Sequence, residues 1–97
     1  MQFKLGELVS SKAGRDTGRK LVIVGIIDEK FVLVSDGDLR KIEKPKKKKI
    51  KHVESCGIII DSLNKKLENN MKVTNAEIRK EIAKYVQDSK ESLNKEG

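Results

Sequence analysis

The stretch "KLVIVGIIDEKFVLVS", residues 20–35, carries the strongest structural signal in the chain. Two runs rich in β-branched residues, 20–27 and 31–35, flank the polar residues Asp28, Glu29 and Lys30. Such runs suit extended backbone, and the short polar break between them reads as a hairpin turn. Outward from it, "ELVSS" at 7–11 supplies a preceding strand, and "SDGD" at 35–38 a second turn in which Gly37 can take positive φ. "LRKIE" at 39–43 then alternates, Pro45 interrupts, and "KKIKHV" at 48–53 reads as one more edge strand with Ile50 and Val53 facing inward. No crossover helix fits between these strands, so the sheet is antiparallel. Four or five short strands in roughly 50 residues predict a small, strongly bent sheet or barrel, with Phe31 facing its core.

The second half changes period. "SCGIIIDSLNKKLENN" at 55–70 places Ile59, Ile60, Leu63 and Leu67 on one helical face, and Cys56 reads as a small buried group at that helix's start. "TNAEIRKEIAKYVQDSKESL" at 74–93 opens with Thr74 and Glu77, three residues apart as in a capping box. Its Ile78, Ile82, Tyr85, Val86 and Leu93 form a second apolar stripe. The two predicted helices pack on each other or on the sheet. This gives two units: a basic β module at 1–53 and a helical extension at 54–97.

Charge separates the same two halves. Residues 1–51 hold 14 basic and 7 acidic side chains, whereas 52–97 hold 8 of each, so the net charge of +7 lies wholly in the first half. That asymmetry points to a polyanionic partner for the β module. With 97 residues, a large enclosed enzyme pocket is not expected. One cysteine and one histidine, Cys56 and His52, provide neither a disulfide framework nor a zinc ligand set. Ser10, Ser11 and Ser35 lack a base partner, and Asp36 and Asp38 lack the remaining ligands of a calcium loop. The expectation is a protein without enzyme activity, cofactor, metal or small-molecule substrate. The longest apolar run, 21–27, is too short to span a bilayer, and Glu7 interrupts any leader-like segment, so the expected location is cytoplasmic.

Within the basic half, "AGRDTGRK" at 13–20 resembles a phosphate-gripping loop at first sight. A nucleotide-binding P-loop needs four residues between its glycines, followed by Lys and then Ser or Thr. Here three residues separate Gly14 from Gly18, Arg19-Lys20-Leu21 follows, and the loop leads into a strand rather than a helix. Two readings remain. The loop is a glycine-permitted turn with solvated side chains, or its glycines allow close backbone approach while Lys12, Arg15, Arg19 and Lys20 meet phosphates. The run "KPKKKKIK" at 44–51 carries six lysines in eight positions. It is either a solvated, self-repelling segment or a second phosphate contact beside the first.

From Gly6 to about Gly37 the chain resembles a KOW motif, on "LVSS", "AGRDTGRK" and "LVIV" in succession. Gly18 matches the family's loop glycine, and Arg15, Arg19 and Lys20 its basic residues. Over 3–53, with the extension "DGDLRKIEKPKKKKIKH", the sequence looks closer still to bacterial relatives of the eukaryotic and archaeal large-subunit ribosomal protein fourteen-e type. The resemblance implies an α+β protein: a small SH3-like barrel (KOW domain) that binds RNA, followed by a C-terminal pair of α-helices. It implies ribosomal RNA as partner, with large-subunit proteins beside it. The candidate RNA-binding residues are Lys12, Gly14, Arg15, Gly18, Arg19, Lys20, Arg40, Lys44, Lys46, Lys47, Lys48, Lys49 and Lys51. With only Phe3, Phe31 and Tyr85 aromatic, and Phe31 and Tyr85 assigned to packing, recognition by shape and backbone is expected over base stacking. A protein-interaction adaptor using the barrel and helices is the alternative, and attachment to anionic lipid is disfavoured because neither helix has a strongly basic polar face.

Overall fold

The computed structural model describes residues 3–96, with side chains through Val86. Five strands form one antiparallel sheet: β1 (Glu7–Ser11), β2 (Lys20–Ile26), β3 (Phe31–Ser35), β4 (Lys46–Lys49) and β5 (Val53–Ile59). Their order is β4-β3-β2-β1-β5, so β4 and β5 are the edges and the sheet is open rather than a closed barrel. Two helices follow, α1 (Asp61–Glu68) and α2 (Asn75–Glu96).

The uninterrupted run in β2 is explained by burial on both faces. Leu21 and Ile23 join Val9, Val32, Val34, Val53 and Phe3 on one side of the sheet. Val22 and Val24 join Leu8 and the helices on the other. A strand covered on both sides has no polar face to alternate with. Register shifts bend the sheet, between Ile23 and Gly25 in β2 and opposite Leu8 and Val9 in β5. Such bulges kink a strand and increase its twist, so the sheet curls around the first cluster.

The first helix begins later than the periodicity predicts. Residues 53–59 form β5 against β1, and α1 starts only at Asp61. The shift in β5 falls around Cys56 and Gly57, which breaks the two-residue alternation that identifies a strand. Cys56 accordingly lies half-buried in β5, against the helix-side cluster, and not at a helix start.

Both helices pack on the sheet. Ile60, Leu63, Val73 and Ile78 are buried with Leu8 and Val22, and Leu67, Ile82 and Tyr85 pack around them. Leu93 lies outside the described side chains. The capping box at the start of α2 is present: the Thr74 amide donates to Glu77 Oε1 (3.2 Å), and the Glu77 amide donates to Thr74 Oγ1 (3.1 Å). Lys66 of α1 also pairs with Glu77, and these bonds hold the Glu77 carboxyl below the usual glutamate range, the lysine contributing most. Asn75 ties α2 to the segment before β4, accepting from the Ile42 amide (2.7 Å) and donating to Glu43 Oε1 (2.8 Å).

Candidate nucleic-acid interface

The loop at 12–20 is built by its own backbone. After β1 the chain makes a 3₁₀ turn over Gly14–Asp16, closed by Thr17 Oγ1 donating to the Gly14 carbonyl (2.6 Å). The Gly18 amide then donates to the Ser11 carbonyl (2.8 Å), and the Ser11 amide to the Arg19 carbonyl (3.0 Å). Gly14 and Gly18 sit at φ +81° and +86°, a region that side chains with a Cβ enter at a cost. No atom lies within 4 Å of where a Gly18 Cβ would stand, so that face of the loop is open to a ligand.

Two carboxylates organise the surroundings. Asp16 and Asp36 each retain 6% of their side-chain exposure. Buried carboxylates require compensation. Asp16 Oδ2 accepts two bonds from Arg40, at 3.2 and 3.1 Å. Asp36 Oδ2 accepts from Arg19 Nη1 (3.0 Å), while its Oδ1 accepts the amides of Asp38 and Arg40, both at 2.9 Å. Arg19 and Arg40, predicted as phosphate donors, thus brace the loop against the 35–40 turn. Composition marks these four residues as charged but does not reveal that they pair.

The lysine run is not the solvated, extended tail its charge suggests. Lys46, Lys47, Lys48 and Lys49 pair with Val34, Leu33, Val32 and Phe31 as β4. Lysines suit an exposed sheet edge because they block pairing with another chain. Lys48, opposite buried Val32, is itself only 8% exposed and donates its ammonium to the Ala13 carbonyl (3.0 Å). Its stem covers apolar surface while its charge reaches a polar partner. Lys48 therefore fastens β4 to the loop.

Two basic segments distant in sequence, the 12–20 loop and β4 with its flanks, converge as a result. Lys48 joins β4 to the loop, Arg40 braces the loop against the 35–40 turn, and the Lys12 amide donates to the His52 carbonyl (2.8 Å) in the 3₁₀ turn that links β4 to β5. Lys12, Arg15, Lys44, Lys46, Lys47, Lys49 and Lys51 are exposed, and Lys20 is half-buried. No described acidic side chain forms an ion pair with any of them. An open groove of about 590 Å³ lies between Arg15–Lys20 and Arg79, Ile82 and Val86 of α2.

The structure divides two arginines that look equivalent in sequence. Arg15 is exposed, whereas removing Arg19 leaves Asp36 Oδ2 without its cation. Arg19→Ala should cost about 1–2 kcal/mol, reduced by solvent because the guanidinium is 39% exposed. Arg15→Ala should stay within about 0.5 kcal/mol of the parent. Parallel thermal denaturation checks this, and equal midpoints for the two variants would refute the bracing role.

An open five-stranded sheet with two covering helices and clustered uncompensated lysines defines a small basic α+β protein suited to a polyanion. Sequence comparison specifies the family. The chain is 39% identical over 59 residues to the large ribosomal subunit protein eL14 of Staphylothermus marinus, covering 61% of this chain and 62% of that protein. It is 43% identical over 52 residues to eL14 of Desulfurococcus amylolyticus, 54% of each chain. The match to eL14 of Sulfolobus acidocaldarius is 33% over 80 residues, 82% of this chain and 76% of that one. The chain belongs to the eL14 family of large ribosomal subunit proteins. It spans between half and two thirds of the first two relatives. These relatives are archaeal, where the resemblance had pointed to bacterial ones. No protein-family model matches the chain.

Proposed function

We propose that this protein is a non-enzymatic, RNA-binding component of the large ribosomal subunit in the cytoplasm. It contacts the phosphate backbone of folded ribosomal RNA through the 12–20 loop and the lysines of β4 and its flanks. The observation that carries this reading is the convergence of two basic segments, the 12–20 loop and the lysine-rich β4 with its flanks, held together by Lys48. Membership of the eL14 family supports the ribosome as the setting. The strand order, the curl of the sheet and the glycine-bearing loop after β1 fit an SH3-like KOW module, open at the β4 and β5 edges.

The adaptor alternative needs an apolar face left open on the helices. Leu63, Leu67, Ile78, Ile82 and Tyr85 of the helices pack in the cluster shared with the sheet, which leaves Ile82, Ala83 and Val86 along the groove beside the 12–20 loop as the apolar surface such a partner would use. No helix among the described residues is long and apolar enough to cross a membrane.

Sedimentation of the tagged protein through sucrose gradients tests the proposal. It should migrate with the large subunit at low salt and leave it after either raised salt or ribonuclease treatment, since each removes the phosphate contacts. A protein that stays at the top of the gradient in every condition would overturn it.

A further inference from the structure

We propose that Phe31 is a stacking platform for one unpaired nucleobase, with Lys30, Lys49 and Lys51 holding the adjoining phosphates. The inference rests on the RNA-binding reading and adds to it a base-recognition site outside the 12–20 loop. Phe31 opens β3 and, contrary to its expected place in the core, belongs to neither hydrophobic cluster. It is half-buried, and the Lys47 ammonium stands 4.4 Å from its ring centroid, so that ring face lies at the charged surface and not against apolar neighbours. The other two aromatic residues are committed elsewhere: Phe3 is buried in one cluster and Tyr85 packs against the other.

The surroundings match a nucleotide's chemistry. Phe31 lines a cavity of about 510 Å³ together with Lys30, Lys49, Ile50 and Lys51, and Glu29 is the single acidic residue there. All three lysines are exposed. The site is firmly framed, because Asp28 Oδ1 accepts the amides of Lys30 (2.8 Å) and Phe31 (2.9 Å) and the Ile50 amide donates to the Lys30 carbonyl (2.8 Å). An exposed cation–π contact is weaker than stacking of a base on an aromatic ring. A nucleobase therefore displaces the Lys47 ammonium, which is then available to a phosphate. Every base has a π-face, so the site should select for an unpaired nucleotide and not for its identity. A bulge or loop in otherwise folded RNA supplies one.

The test compares two RNA hairpins that differ by a single bulged nucleotide, titrated with the parent protein, Phe31→Leu and Phe31→Tyr. The parent should bind the bulged hairpin about tenfold more tightly. Phe31→Leu should reduce that preference below about twofold while its affinity for the fully paired hairpin stays the same, and Phe31→Tyr should restore it. A 2-aminopurine at the bulge should lose fluorescence on binding the parent protein, a readout independent of whether Phe31→Leu folds. Equal affinities of the parent for both hairpins, an unchanged 2-aminopurine signal, or a preference retained by Phe31→Leu would overturn the stacking site alone. Failure of the parent to bind either hairpin at low salt would instead overturn the RNA-binding reading beneath it.

Discussion

Replacing Gly37 with alanine should lower the thermal midpoint by about 10–20 °C, a loss near 3 kcal/mol in a protein of this size. Gly37 sits at φ +74°, and a Cβ added there would collide with the Asn75 carbonyl oxygen, a backbone atom, and crowd the Arg79 side chain. The conformation alone costs an alanine about 1–2 kcal/mol. Relief of the clash requires the first turn of α2 to withdraw, which stretches the bond from Arg79 Nη1 to the Gly37 carbonyl (2.6 Å), worth about 1 kcal/mol more. The same movement disturbs Asn75, whose amide group bridges Ile42 and Glu43. Circular dichroism melting of Gly37→Ala checks this expectation. A midpoint within about 3 °C of the parent would mean that α2 does not lie against the 35–40 turn as described.

Substituting Lys12, Arg15 and Lys20 together with glutamine should weaken RNA binding by about a hundredfold near 0.1 M salt and leave the melting midpoint unchanged. Each phosphate contact contributes about 0.7 to 0.9 to the slope of log affinity against log salt, so three should flatten that slope by about 2 to 3. None of the three bonds a buried carboxylate, in contrast to Arg19 and Arg40. Glutamine keeps a long polar side chain, which separates charge from packing. Titrations of a ribosomal RNA fragment at several salt concentrations provide both numbers. An unchanged slope in the folded variant would remove the 12–20 loop from the interface.

Much of this architecture was legible because the signals are local. The β-branched runs at 20–27 and 31–35 form β2 and β3, Thr74 and Glu77 cap α2, and Gly14, Gly18 and Gly37 adopt the positive φ their turns require. Residues 53–59 were less legible, since the bulge at Cys56 and Gly57 shifts register and leaves an apolar run that reads equally as helix. Phe31 departs from its expected place in the core for a different reason. Hydrophobicity predicts that a phenylalanine tends to be buried, but whether a strand's outer face is covered depends on where the helices settle, and they settle over Leu8 and Val22.

The candidate interface divides along the same line. Charge density by itself located the basic half, the 12–20 loop and the lysine run, because excess cations need no particular fold to be counted. Which of them remain available depends on how the chain folds. Two buried carboxylates, Asp16 and Asp36, must be compensated wherever the chain folds, and they take Arg40 and Arg19, while strand pairing turns Lys48 inward to the Ala13 carbonyl. Ion pairing and burial depend on distances between residues up to 35 positions apart, which no local pattern contains. The cationic character and mixed structure follow from the sequence, and the fold sets which cations stay exposed and unpaired among the described residues.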